Sequence, residues 1–291
     1  MKILISDAFD PSLPERLAKF GEVTDDKAQV ASANVVLIRS KTKCTKEYID
    51  GAPELQMIIR GGVGLDNVDL EYAKEKGIKV FNTPAASSVA VAELAFALLL
   101  AIPNRVIEGH MTMCEGKWAK KELKRTEIYQ KTLGLLGVGR IGTEVAKRAQ
   151  AFGMKVIAYD KYVENSDYAT IVSLEEMLAQ ADFISIHTPL TDETKGMVNA
   201  DLIGTMKDGV IIINSGRGKV INEEDMVAAL TSGKVRAYGT DVWESDPPPE
   251  TCALLKAPNV FMTPHIGASS KENLLRIGDI IVERLEEHYG K

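Results

Sequence analysis

The feature that most constrains this chain is a glycine triplet at its midpoint. Gly137-Val138-Gly139-Arg140-Ile141-Gly142 reads G-x-G-x-x-G and falls almost halfway along 291 residues. The apolar run Leu133-Gly134-Leu135-Leu136 precedes it, and a helix-like stretch from Thr143 to Phe152 follows. Lys155-Val156-Ile157-Ala158-Tyr159 then predicts a second strand, ending in Asp160. In a strand–turn–helix of this kind the first glycine turns tightly, the second lets backbone approach a pyrophosphate, and the third packs helix on strand. The helix start offers free N–H groups to the phosphates. Asp160 lies 18 residues past Gly142, where a carboxylate accepts hydrogen bonds from ribose hydroxyls and repels a 2′-phosphate. The pattern predicts a site for NAD rather than NADP, made by Gly137, Gly139, Arg140, Ile141, Gly142 and Asp160. A lone glycine triplet punctuates many loops, and it is the ordered strand, helix, second strand and acid that make this one informative.

A domain's length of chain precedes the triplet, so two modest domains fit better than one. The chain is 45% apolar with only seven Phe and two Trp, which leaves Val, Ile, Leu and Ala to build the core. That composition suits parallel sheets covered by helices. A net charge of −6 argues against nucleic acid as a partner. Cys44, Cys114 and Cys252 are odd in number and far apart, so neither a disulfide framework nor a metal site is expected, and the cytoplasm is the expected compartment. The N-terminus reads as a first strand rather than a signal peptide. The apolar stretch Val89 to Ile102 carries Glu93 and reads as a buried helix, too short to span a bilayer.

Both halves alternate short apolar runs with helical patterns, the rhythm of α/β folds with parallel sheets. Strands are predicted at Ile3–Ser6, Val35–Arg39, Gln56–Arg60 and Lys79–Phe81, with helices at Leu13–Lys19, Lys46–Asp50 and Leu70–Lys76. In the second half, strands are predicted near Leu133–Leu136, Lys155–Tyr159, Phe183–His187, Val210–Asn214, Arg236–Thr240 and Val260–Met262. A long helix from about Ser88 to Cys114, broken or kinked at Pro103, and a last helix from about Lys271 to Tyr289 are expected to join the halves. The expected architecture is two parallel-sheet, Rossmann or flavodoxin-like domains with a cleft between them, the second inserted into the first. Residues 1–97 with 267–291 would form a discontinuous substrate-binding domain, and 98–266 the NAD-binding domain.

Four histidines are present. His110 and His288 sit among charged residues in helices and read as solvated. His187 ends a strand in His187-Thr188-Pro189-Leu190, and His265 ends another in Thr263-Pro264-His265-Ile266-Gly267. Carboxyl ends of parallel strands are where ligands bind, so either histidine could be a functional group or a hydrogen-bonded loop residue. Asn214-Ser215-Gly216-Arg217-Gly218 places an arginine between two glycines, open enough to clamp a carboxylate. Asp241, Glu244 and Asp246 follow a further strand and offer acids to orient a histidine.

These segments, with Arg39-Ser40-Lys41-Thr42, Arg60-Gly61-Gly62-Val63-Gly64-Leu65-Asp66-Asn67-Val68-Asp69, Asn82-Thr83-Pro84 and Pro264-His265-Ile266-Gly267-Ala268-Ser269, resemble the D-isomer-specific 2-hydroxyacid dehydrogenases along nearly the whole chain. Within that family the resemblance is strongest to the phosphoglycerate dehydrogenases. It implies a catalytic trio of Arg217, Asp246 and His265. His265 would exchange the substrate hydroxyl proton, Arg217 would bind the carboxylate, and Asp246 would hold the imidazole. It also implies cofactor contacts from His187, Thr188, Pro189 and Ser215, with Asp241 facing the nicotinamide carboxamide. The family acid before the proline is usually Glu, whereas Asp246 is one methylene shorter, and Glu244 is the alternative.

The resemblance further places Gly62, Val63 and Gly64 on the substrate carboxylate, with Arg39 and Arg60 near its far end. Lys120 or Lys121 would complete a phosphate pocket across a homodimer interface. The expected reaction is NAD-dependent oxidation of D-3-phosphoglycerate to 3-phosphohydroxypyruvate, the first step of serine synthesis. Other D-2-hydroxyacid dehydrogenases, such as a glyoxylate/hydroxypyruvate reductase or D-lactate dehydrogenase, are the alternative. A non-catalytic NAD-sensing protein is a further one. A formate dehydrogenase is disfavoured because that group typically has Gln at the Asp246 position. With nothing after the closing helix, serine inhibition through a regulatory domain is not expected.

Overall fold

The computed structural model describes residues 1–290. In chain order its first elements are β1 (Lys2–Ile5), α1 (Leu13–Leu17), β2 (Glu22–Thr24), β3 (Val35–Ile38), α2 (Lys46–Asp50) and β4 (Met57–Arg60). Then come α3 (Leu70–Glu75), β5 (Lys79–Asn82), α4 (Pro84–Ala101), α5 (Val106–Cys114), β6 (Thr132–Leu136) and α6 (Arg140–Ala151). They are followed by β7 (Lys155–Tyr159), β8 (Thr170–Ile171), α7 (Leu174–Gln180), β9 (Phe183–Ile186), α8 (Ala200–Gly204) and β10 (Val210–Asn214). The last are α9 (Glu223–Ser232), β11 (Val235–Thr240), β12 (Val260–Met262) and α10 (Lys271–Tyr289).

The chain divides into two compact units. One is Met1–Ala90 with the residues from Ala268 onward, the other Val91–Gly267. Among the described residues the first unit holds a five-stranded parallel sheet in the order β2-β1-β3-β4-β5. Its strands bury both faces because successive side chains alternate. Leu4, Val36, Ile38 and Ile58 face Ile49 of α2 and Ala73 of α3. Ile3, Val35, Leu37, Met57 and Ile59 face Leu13 and Leu17 of α1 and Ile277, Ile281 and Leu285 of α10. Helix α10 starts at Ser270, whose hydroxyl accepts the Asn273 amide as an N-cap.

The second unit holds, among the described residues, a seven-stranded parallel sheet ordered β12-β11-β10-β9-β6-β7-β8. Leu133, Leu135, Ile211 and Ile213 pack on one face against α4 and α6. Ile184, Ile186, Val210 and Ile212 pack on the other against α7, α8 and α9. The order reverses at β6, where the chain leaves in one direction to β7 and later returns to β9 on the other side. This is the switch point at which parallel sheets open a crevice for ligand.

One expectation holds and one changes. The stretch from Ser88 to Cys114 is broken at Pro103, as expected, into two helices, because Pro103 lacks the N–H needed to continue the first. The apolar helix within it runs Pro84–Ala101 and is longer than the run Val89 to Ile102 suggests, since proline is well accommodated at a helix start. At 18 residues with mean hydropathy 1.8 it is long and apolar enough to cross a membrane, and 56% of it is buried inside the protein.

Candidate active site at the strand ends of the second unit

Strand β6 delivers the glycine loop. Gly142 cannot carry a side chain, because a Cβ there would stand 2.3 Å from the Gly137 carbonyl oxygen. Gly139 faces open space and precedes α6 without any side-chain cap. The start of α6 thus has no side-chain cap competing for its first amides, as suits an anion site. Asp160, one residue past β7, is fixed beside the loop. Its Oδ2 accepts the Val138 amide at 2.9 Å and its Oδ1 the Tyr162 amide at 2.9 Å, and each oxygen keeps a lone pair for a ribose hydroxyl. Arg140 is exposed and Ile141 half-buried at the start of α6.

The turn after β9 lies against this loop, and a side chain on Gly137 would sit 3.1 Å from the Thr188 nitrogen. The Thr188 hydroxyl is buried and has no hydrogen-bond partner among the described residues. Pro189 is exposed, and its carbonyl accepts the Thr194 hydroxyl at 2.7 Å. His187 faces Ser185 through Nε2 at 2.8 Å and Ser215 through Nδ1 at 3.3 Å. Burial pushes its pKa down to about 4, so the ring is neutral at physiological pH. An orphaned hydroxyl and an uncapped helix start beside an anchored acid fit a dinucleotide.

Strand β10 carries Arg217 through a buried asparagine. The Asn214 Oδ1 accepts the Gly216 amide at 3.0 Å, and its Nδ2 donates to the Arg217 carbonyl at 3.0 Å and to the Tyr238 hydroxyl at 3.1 Å. Asn214 is fully buried, so every one of these bonds matters to the turn. Arg217 itself donates from NH1 to the Gly216 carbonyl at 2.8 Å. After β12, His265 pairs through Nδ1 with Asp246. Both side chains are a little over a quarter exposed. The acid at the histidine is thus Asp246 and not Glu244, whose side chain is exposed. Asp241, expected at the nicotinamide, is 2% exposed and has its carboxylate on the turn that follows β12. Asn214 and Thr263 were not singled out from sequence. The one signal available was a small polar residue ending or following an apolar run.

In the first unit, Gly61 to Gly64 follow β4. The Gly62 amide donates to the Thr83 hydroxyl at 2.8 Å, while the amides of Val63 and Gly64 carry no hydrogen bond among the described residues. Arg60 is buried beneath this loop, in register with Ile38 of β3. Arg39 follows Ile38, and its NH2 donates to the Ala268 carbonyl at 2.8 Å and the Ser269 hydroxyl at 3.3 Å. Lys120 and Lys121 are exposed in a turn after α5.

Residues 96–267 match the family model described as D-isomer specific 2-hydroxyacid dehydrogenase, NAD binding domain. The chain belongs to the D-isomer-specific 2-hydroxyacid dehydrogenase family. NAD is the cofactor of that matched domain. A hydroxypyruvate reductase of Thermotoga maritima is 47% identical over 264 residues, 90% of this chain and 86% of the relative. A D-3-phosphoglycerate dehydrogenase of Methanocaldococcus jannaschii is 40% identical over 300 residues, 99% of this chain but 57% of the relative. The chain therefore spans little more than half the length of that family member. An NAD-dependent formate dehydrogenase from Staphylococcus aureus, solved with NAD, superposes with a TM-score of 0.90 at 29% identity, covering 100% of this chain and 97% of its own.

Proposed function

We propose that the chain is an NAD-dependent dehydrogenase that interconverts D-3-phosphoglycerate and 3-phosphohydroxypyruvate, as in the first step of serine synthesis. The observation that supports the reaction is the His265–Asp246 pair at the strand ends of the glycine-loop sheet. With Nδ1 engaged by the carboxylate, Nε2 presents its lone pair as a proton acceptor. In oxidation Nε2 takes the substrate hydroxyl proton, and in reduction the imidazolium returns it. Asp246 orients the ring through its Nδ1. Arg217 holds the substrate carboxylate with its planar fork and polarises the carbonyl. NAD, when bound, accepts or returns the hydride. Gly137, Gly139, Arg140, Ile141 and Gly142 would receive its pyrophosphate, Asp160 its ribose, and Thr188, Pro189 and Ser215 its nicotinamide half.

The substrate class is supported by the first unit. Arg39 and Arg60 lie at the carboxyl ends of adjacent parallel strands, a concentration of guanidinium that suits a phosphate dianion. Val63 and Gly64 would give their amides to the carboxylate. A homodimer is supported by Val106, Met111 and Met113 of α5 and by Trp118, all more than half exposed, which a second copy would cover. Lys120 and Lys121 follow that apolar surface and would supply cations to the phosphate. Free thiols at Cys44, Cys114 and Cys252 support a reducing compartment such as the cytoplasm.

A second reading, reduction of unphosphorylated hydroxypyruvate, is favoured by the 47% relative and by the backbone and hydroxyl partners that already occupy Arg39. The deciding experiment follows NADH formation at mildly alkaline pH with D-3-phosphoglycerate, D-glycerate and D-lactate, and NADH loss with hydroxypyruvate. A preference for phosphoglycerate upholds the first reading, and a preference for glycerate and hydroxypyruvate installs the second. Tight NADH binding with no turnover in any well would overturn both in favour of a sensor.

A further inference from the structure

We propose that Asp241 is a positioning residue, whose buried carboxylate holds the Thr263–Gly267 turn and so sets the backbone from which His265 reaches the substrate. The inference rests on the proposed role of His265 in proton transfer. Asp241 follows β11 and is nearly inaccessible to water. Its Oδ1 accepts the Thr263 hydroxyl at 2.6 Å and the Ile266 amide at 2.8 Å, and its Oδ2 accepts the Gly267 amide at 2.7 Å. These three donors lie on either side of His265 in the chain.

His265 has φ of 54°, a left-handed conformation that a residue with a side chain seldom adopts. Such a conformation persists only where the surroundings over-determine it. The bonds to Asp241 are what over-determine it here. A carboxylate in a dry setting with three donors makes short, strong, directional bonds. The start of the turn is tied down too, by the Thr263 amide on the Thr240 carbonyl at 2.9 Å and the Trp243 indole on the Thr263 carbonyl at 3.1 Å.

Asp246 acts differently. It grips the imidazole ring and leaves the backbone alone. Asp241 also sends its own amide to the Asn214 carbonyl at 3.0 Å, at the strand end that leads to Arg217. One residue thus joins the strand end behind the arginine to the turn beneath the histidine. The contact expected from resemblance, between Asp241 and the nicotinamide, makes a different prediction. It would show in cofactor binding, whereas a turn clamp shows in the chemical step.

The test compares wild type, Thr263→Val and Asp241→Asn. Thr263→Val removes one donor while leaving the buried charge in place, and it serves if Asp241→Asn does not fold. The readouts are kcat with the preferred D-2-hydroxy acid, NADH Kd by fluorescence, and the His265 imidazole ¹H–¹⁵N signal without ligands. The proposal expects kcat to fall about 10-fold in Thr263→Val and about 100-fold in Asp241→Asn, the scale of a displacement near one ångström. NADH Kd should stay within about threefold, since the loss lies in the transition state. The His265 signal should move or broaden in both. Wild-type kcat in Thr263→Val overturns the proposal. So does an Asp241→Asn defect confined to NADH affinity, which would assign the residue to the cofactor. If wild type turns over no acid at all, the proposed function fails by itself, and an unmoved His265 signal in Thr263→Val would still overturn the clamp.

Discussion

His187 and His265 follow strands of the same parallel sheet, β9 and β12, and both look like strand-end histidines aimed at a ligand. Their neighbours make them different groups. His187 has a serine hydroxyl at each ring nitrogen and is pushed by burial to about 4, so it stays neutral. His265 has a carboxylate on Nδ1, keeps more than a quarter of its side chain in contact with solvent, and stands on a left-handed backbone. Serine hydroxyls can orient an imidazole but carry no charge, whereas a carboxylate brings one to the ring. On the proposed mechanism, the pairing partner, more than the histidine, decides which strand end can move a proton.

The contrast is most sharply broken by exchanging the two rings for amides. His265→Asn should lower kcat by about 10²–10⁴-fold with NADH binding retained, the range for loss of a general acid–base. His187→Asn should keep kcat within about tenfold of wild type, a loss of binding contacts alone. Equal losses in steady-state assays would erase the distinction. Removing the partner comes next. Asp246→Asn should cost about 10- to 100-fold in kcat, since the ring loses the carboxylate that orients it. A wild-type kcat would move the role to Glu244.

Smaller effects fall on His187. Its folded pKa of about 4 lies below the unfolded value of roughly 6.5, so the unfolded chain binds more protons in between. Its contribution is complete above about pH 6.5 and is lost as pH falls toward 4, on the order of 1–2 kcal/mol for a partly accessible residue. Urea midpoints at pH 7.5 and 5.0 should therefore converge in His187→Gln relative to wild type. Ser185→Ala should cost about 1 kcal/mol of stability by leaving Nε2 without its 2.8 Å partner, with kcat unchanged. A fall in kcat there would draw His187 into the chemistry.

Much of the fold was legible because central parallel strands are buried on both faces. Val35–Ile38 and the Val210–Ile213 part of β10 are runs of β-branched and aliphatic residues with few competing readings. The edge strands β2 and β8 were not read, because Glu22–Thr24 and Thr170–Ile171 carry one apolar residue each and so show no apolar run. In the site, Arg217 and His265 stood out through flanking glycine and proline and through the resemblance. Asn214 and Thr263 did not. Small polar residues are common in loops, and their value here lies in partners distant in sequence.

The order of residues settled the glycine loop, the acid after β7, the alternation of both sheets and the family. These depend on local spacing, which a chain carries wherever it folds. Which acid meets His265, which histidine stays neutral, and what the Asp241 carboxylate holds were settled by packing. Each depends on burial and on contacts between segments distant along the chain, such as the 22 to 26 residues that separate Asp241 from its three donors. Charge and hydrogen-bond energies change steeply over a few ångströms, and spacing along a sequence does not encode distances on that scale.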